Sequence, residues 1–163
     1  MSNENDRLRP NVCILLYNAE RKLLLGERLG EAGHWQFPQG GIDKPDTPER
    51  AVVREIYEEL GIEEHLLGRI EALNVTHTYL WDTVPDYAVG RWIGQAQTFW
   101  SVEFLGADTD IVLERHDAPE FQAWQWCSSF AVEQIAAEKR RDGYKKALRA
   151  FEATVERVDS GKS

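Results

Sequence analysis

The chain is poor in cysteine, in positive charge and in long apolar runs, and each shortage closes off a class of protein. Its two cysteines, Cys13 and Cys127, stand in apolar, strand-like stretches with no metal-type or redox-type spacing. They read as reduced core residues, not as part of a disulfide framework or a thiolate metal site. Lys and Arg total 19 against 28 Asp and Glu, a formal charge of −9. Such a surface repels polyanions and lacks the basic stripe of a broad nucleic-acid footprint, which argues against DNA as a partner. It does not bar a phosphate substrate that brings its own divalent cations. No stretch approaches the roughly 20 apolar residues of a membrane span, and the opening MSNENDRLRP holds no apolar signal region. The expectation is a cytoplasmic protein without a membrane partner.

What is present suits one domain with its own core. We expect a flexible N-terminal tail over residues 1–8, the domain over 9–158 and a disordered tail over 159–163. NVCILLY (residues 11–17) is a β-rich run, Asn18-Ala19-Glu20 a turn, and KLLLGERL (22–29) its hairpin partner. WQFPQGG (35–41) reads as a short strand ending at Pro38 and the glycine pair, before a loop. Thr47 then offers an N-cap, Pro48 the first helical position and Gly61 the stop of a helix whose core stripe is Val52, Ile56 and Leu60. Residues 68–80 and 95–105 alternate like half-buried strands. Between them runs a loop with Trp81, Tyr87 and Trp92, of a length that is usually functional or mobile. Residues 120–126 read as another strand, and 130–158 as helix interrupted at Asp142-Gly143. The class expected is α/β, a mixed sheet flanked by helices.

One segment resists a structural explanation. REIYEELG (54–61) sets Glu55, Glu58 and Glu59 along one flank of the helix, at spacings where like charges repel. They also sit near the C-terminal end, where the helix dipole disfavours anions. A cation should answer them. Clustered carboxylate oxygens are hard ligands for Mg²⁺ or Mn²⁺, and the preceding Gly40-Gly41 pair lets the backbone approach a ligand closely. Together these features suggest metal-assisted attack of water on a phosphoryl group.

GGIDKPDTPERAVVREIYEELGI (40–62) resembles the Nudix box: Gly, five residues, Glu, seven residues, then Arg-Glu-aliphatic-x-Glu-Glu-x-Gly-aliphatic. Gly40, Arg54, Glu55, Glu58, Glu59 and Gly61 match by type and spacing, a coincidence expected by chance on the order of 10⁻⁷. Asp46 departs from the pattern, standing where the family has the glutamate that helps hold the arginine. RPNV (9–12), WQFPQGG, IGQAQTFW (93–100) and PEFQAWQW (119–126) extend the resemblance to the branch of dinucleoside polyphosphate hydrolases and bacterial RNA 5′-pyrophosphohydrolases. The resemblance implies a Nudix-type α/β/α sandwich. It implies that Glu55, Glu58 and Glu59, with Gly40 beside them, gather Mg²⁺, with Mn²⁺ as an expected substitute. Glu120 would join the metal site or serve as base, and Arg54 would orient the site.

Substrate contacts expected from the same branch are Arg9, Arg28, Gln39, Tyr79, Gln95 and Gln97, with Tyr79 and the loop aromatics offering purine stacking. Ala96 and Thr98 replace two lysines that RNA-pyrophosphohydrolase members carry, which makes a long RNA less comfortable. The function expected is Mg²⁺-dependent cleavage of the phosphate chain of a (di)nucleoside polyphosphate or of a 5′-triphosphorylated RNA end, with Glu58 or Glu120 as general base. Two alternatives remain at this point: a catalytically inactive Nudix-fold nucleotide sensor, and a nucleotide-pool or nucleotide-sugar pyrophosphatase. His77 and His116, without ligand-spaced partners, read as structural.

Overall fold

The computed structural model describes residues 4–43 and 45–160; the outermost positions of both expected tails, 1–3 and 161–163, lie outside the described residues. Its elements are β1 (Leu8–Tyr17), β2 (Leu23–Arg28), β3 (Trp35–Gln36), β4 (Gln39–Gly41), α1 (Pro48–Leu60), β5 (Leu67–Leu80), β6 (Gly94–Phe104), β7 (Phe121–Cys127), α2 (Ser129–Ile135) and α3 (Arg141–Ser160). Leu8, assigned from sequence to the tail, already opens β1 after a 3-10 turn at Glu4–Arg7.

The sheet runs β3-β2-β1-β6-β5, with β4 joined to β1 and β7 to β2. β1 and β6 pair in parallel at the centre, and the other pairs are antiparallel. Successive β1 side chains serve opposite faces, which is why NVCILLY is apolar throughout. Val12, Ile14 and Leu16 pack with Ala51, Val52, Ile56 and Leu60 of α1. Cys13, Leu15 and Tyr17 pack with Tyr144, Leu148 and Phe151 of α3. The result is a mixed sheet between helical layers, as expected. Val52, Ile56 and Leu60 are fully buried, each such side chain contributing roughly 1.5–3 kcal/mol. Cys13 and Cys127 are buried free thiols.

Local chemistry sets α1 as the sequence suggests. Thr47 Oγ1 accepts from the Arg50 N–H at 3.2 Å, Pro48 opens the helix, and Gly61 closes it at φ 67° with its N–H on the Tyr57 carbonyl. Two expectations are corrected. Gly40 and Gly41 do not follow a strand into a loop; with Gln39 they form β4 itself, pairing with Asn11, Val12 and Cys13. The C-terminal helix does not break at Asp142-Gly143. It breaks earlier, at Ala136-Ala137, because Ala136 bridges Trp35 and the Ala137 N–H bonds the Trp35 carbonyl. α3 then runs through Gly143, where a Cβ would come within 2.8 Å of the His77 ring. Glycine there costs a helix about 1 kcal/mol and lets α3 lie against β5. Among the described residues no helix is long and apolar enough to cross a membrane.

Candidate active site

β4 and α1 meet at Gly40. A Cβ there would overlap the Glu55 carboxylate, so glycine is required for close approach of strand and helix, without any unusual backbone angle. Arg54 staples the loop between them. Its Nη1 donates to Glu55 Oε1 at 2.8 Å and reaches Glu58 Oε2 at 3.5 Å. Nη2 donates to the Gly41 carbonyl at 3.1 Å, and Nε to Asp46 Oδ2 at 3.2 Å. Asp46, one methylene shorter than the glutamate of the motif, therefore still holds the arginine.

The carboxylates are arranged against ordinary electrostatics. Glu55 is 7% exposed and Glu59 only 1%. Burial, together with the charge of Glu58, pushes the Glu55 carboxyl up to about 7; Arg54 opposes this and Glu120 adds to it. Burial and then the charge of Glu120 push Glu59 well above the usual carboxylate range. Glu120, exposed at the start of β7, thus belongs to the same cluster although it comes from across the sheet; its carbonyl accepts the Leu29 N–H. Glu59 Oε2 accepts from the Gln39 N–H at 3.2 Å, while Oε1 is buried with no partner.

A buried acceptor among other acceptors asks for a proton or a cation. Among the described residues no three His, Cys, Asp or Glu side chains are already closed into a ligand set, since Glu55 turns to Arg54 and Glu59 to Gln39. The donor set is nonetheless all hard oxygen, as Mg²⁺ requires. The orphaned Glu59 oxygen and the pressed-up carboxyls fit a divalent cation as the missing partner.

The domain model of the NUDIX family matches residues 7–151. The chain belongs to the Nudix family. The family is one of hydrolases, and this Nudix chain is a pyrophosphohydrolase. Solved structures with the same fold include an Ap4A hydrolase from C. elegans in a binary complex, at 21% identity and TM-score 0.65, over 91% of this chain and 98% of that one. The dihydroneopterin triphosphate pyrophosphohydrolase of E. coli is similar at 15% identity and TM-score 0.64, over 85% and 95%. A MutT protein from Methanosarcina mazei Go1 is similar at 19% identity and TM-score 0.67, over 88% and 95%.

Beside the Nudix carboxylates lies a cleft of about 770 Å³ between the end of β5 and the segment joining α2 to α3. Sheet register sets several sequence-selected residues in two rows, of which Tyr79, Gln97 and His77 line the cleft. Arg9, Gln95 and Tyr79 are cross-strand neighbours, as are Asn11, Gln97 and His77. Arg9 sits against Gly41, where a Cβ would collide with its guanidinium, and donates to the Tyr87 hydroxyl at 3.2 Å. Tyr87 in turn meets Trp81 edge-on, so the long loop is folded onto the rim of the site. Ala96 and Thr98 face the α1 side instead, where Thr98 accepts from the Trp100 ring N–H.

Three of the residues expected to contact substrate make ion pairs or hydrogen bonds within the protein. Arg28 is ion-paired with Glu31 outside the acidic cluster. Gln97 Nε2 donates to Asn11 Oδ1 and Gln39 Oε1, and Gln97 also lines the cleft. Gln39 Oε1 also accepts from Arg140 Nη1 at 3.0 Å. His77, read as structural, does back α3 but also lines the cleft. Arg140 was missed by sequence reasoning: in the run KRRD it looks like a solvated helix face, and only the Trp35–Ala136 bridge turns it inward. Neither this cleft nor a second concavity of about 500 Å³, lined by Glu20, Glu103 and Trp126 among others, is lined by a box residue; the first is tied to the box through Gln39, which bonds both Arg140 and Glu59.

Proposed function

We propose that this protein is a Mg²⁺-dependent pyrophosphohydrolase of nucleoside or dinucleoside polyphosphates. The observation that carries the reading is the cluster of Glu55, Glu58, Glu59 and Glu120 around Gly40, with a buried Glu59 oxygen lacking any donor, beside a cleft large enough for a nucleoside. Those four carboxylates would hold the cation. Bound Mg²⁺ neutralises phosphate charge and makes water a competent nucleophile near neutral pH.

The chain's own residues supply the rest. Arg54 fixes Glu55 and Glu58 to the β4 side of the site through the Gly41 carbonyl. Glu58 is engaged by Arg54 at 3.5 Å, whereas Glu120 is exposed and stands beside Glu59; Glu120 would be the proton acceptor for the attacking water. Arg9, beside Gly41, lies where a phosphate chain leaving the carboxylates would pass, and it would exchange the Tyr87 hydroxyl for phosphate oxygen. The cleft with Tyr79 and Trp81 takes a base. Ala96 and Thr98 put no cation on their face of β6, and the net charge of −9 works against a long RNA; nucleotides are accordingly preferred to a 5′-triphosphorylated RNA end.

The test is chromatography of products from diadenosine tetraphosphate and from a triphosphorylated RNA oligonucleotide, each with Mg²⁺. ATP plus AMP with little action on RNA is the expected result. Phosphate or pyrophosphate release from RNA at a comparable rate would overturn the substrate assignment. Product from neither would revive a binding-only role.

A further inference from the structure

The cleft holds a charged group that the hydrolytic chemistry leaves unexplained. Arg140 lies in the 3-10 turn Glu138–Arg140 between α2 and α3, and its side chain is half-buried. Its neighbours are neutral: Gln39 Oε1 accepts from Nη1 at 3.0 Å, and the Tyr79 hydroxyl stands beside it. Among the described residues no carboxylate lies within ion-pair distance of it. Even half-withdrawn from water, a charge without a counter-charge is costly, and the open side of the cleft leaves room for a ligand to supply the acceptor.

The surrounding amides orient this group. Gln97 Nε2 donates to both Asn11 Oδ1 and Gln39 Oε1, and Gln39 offers its oxygen to Arg140. β4–β1–β6 register brings the three amides together. A guanidinium carries five N–H donors and accepts nothing, so the donors not spent on Gln39 and Tyr79 are available to the cleft that Arg140 lines.

The wall does not suit a phosphate chain. Its other cation, Lys139, is paired with Asp82 at 2.7 Å, and Glu138 lines the same cleft. Tyr79 and Trp81 instead offer flat aromatic faces. A planar ligand with acceptors along one edge matches both features. The 6-oxopurine edge presents O6 and N7 side by side to a guanidinium fork, whereas adenine replaces O6 with a donor amino group.

We infer that the cleft is a nucleobase subsite in which Arg140 selects a 6-oxopurine over adenine. This rests on the nucleotide reading above, but binding in the subsite requires no hydrolysis. GMP, IMP and AMP titrated into the full chain without Mg²⁺, followed by calorimetry and tryptophan fluorescence, test it. GMP and IMP are expected to bind about tenfold to a hundredfold more tightly than AMP, the discrimination of one bidentate pair. In Arg140→Ala the GMP affinity falls to that of AMP, while Trp81→Ala weakens all three alike. Arg140→Lys keeps the charge without the fork and lowers the ratio too; it serves if the alanine variant fails to fold by circular dichroism.

Equal affinity for GMP and AMP in the wild type, or an unchanged ratio in both Arg140 variants, overturns the inference. So does tight binding of GMP with none of IMP, which would assign the preference to the 2-amino group. Turnover of diguanosine and diadenosine tetraphosphates with Mg²⁺ separates the two claims. No hydrolysis of either with an Arg140-dependent GMP preference retained would overturn the reaction and leave the subsite standing. Hydrolysis of both at equal kcat/KM, with no preference in binding, would do the reverse.

Discussion

Replacing Glu55 with Gln should stabilise the metal-free protein while removing its activity. Glu55 is 7% exposed, and its carboxyl is pushed from 4.5 up to about 7 by burial and the charge of Glu58. The folded value lies above the unfolded one, so the stability linked to this group is fully present below pH 4.5 and lost as pH rises through 7. At 1.36 kcal/mol per pH unit the loss by pH 8 is about 3 kcal/mol. A glutamine carries no charge in either state and escapes it. Its amide meets Arg54 less well than a carboxyl does, at a cost of about 1–2 kcal/mol, which leaves a gain of about 1–2 kcal/mol at pH 8 and a loss of about 1 kcal/mol at pH 4.5. For a chain of this size that gain raises Tm by roughly 2–8 °C. Thermal or urea unfolding of both proteins in EDTA at the two pH values measures it. Saturating Mg²⁺ at pH 8 should reverse the order, because only the wild type has the full ligand set. Equal destabilisation at both pH values would show that Glu55 is satisfied without a cation, and the reasoning would fail.

Three further outcomes follow from the same geometry. Gly40→Ala forces a Cβ into the Glu55 carboxylate and should lower kcat/KM by at least tenfold, with weaker metal activation; unchanged kinetics would remove the close-approach argument. Asp46→Glu should change kcat/KM by less than about threefold, since Asp46 already reaches Arg54 Nε at 3.2 Å; a large gain would mean the shorter side chain misplaces the arginine. Glu120→Gln should lower kcat by about 10²–10⁴ with little change in Tm and should flatten the pH–rate profile, whereas Glu58→Gln should nearly abolish turnover and raise the Mg²⁺ needed for half-activation. Reversal of that pattern would exchange the two roles.

How far the sequence reveals the molecule depends on how local the determining physics is. The helix carrying the acids was legible because Thr47, Pro48 and Gly61 act within one turn of its ends, and its misplaced negative charge was visible from spacing alone. β1 was legible from its unbroken apolar run. The helical break was not, because Asp142-Gly143 carries the local signal while a bridge to Trp35, a hundred residues earlier, decides the outcome. Gln39 and Gln97 read as substrate contacts because an amide in a motif looks available; the register that makes them bonded neighbours, with Gln97 at the cleft wall, is not visible in the sequence. Arg140 was invisible for the converse reason: nothing local distinguishes a half-buried guanidinium lining a cleft from its solvated neighbours in KRRD.

The central claim, that these carboxylates hold a divalent cation and hydrolyse a nucleotide polyphosphate through it, is tested most directly at Glu59. Mn²⁺ binding followed by electron paramagnetic resonance, with Mg²⁺-dependent turnover of diadenosine tetraphosphate measured on the same preparations, should be compared between wild type and Glu59→Gln. The wild type is expected to bind Mn²⁺ and to form ATP and AMP only with metal present, and the variant, still folded, to lose both. Hydrolysis that persists in EDTA, or Mn²⁺ affinity and turnover unaltered in Glu59→Gln, would contradict the account.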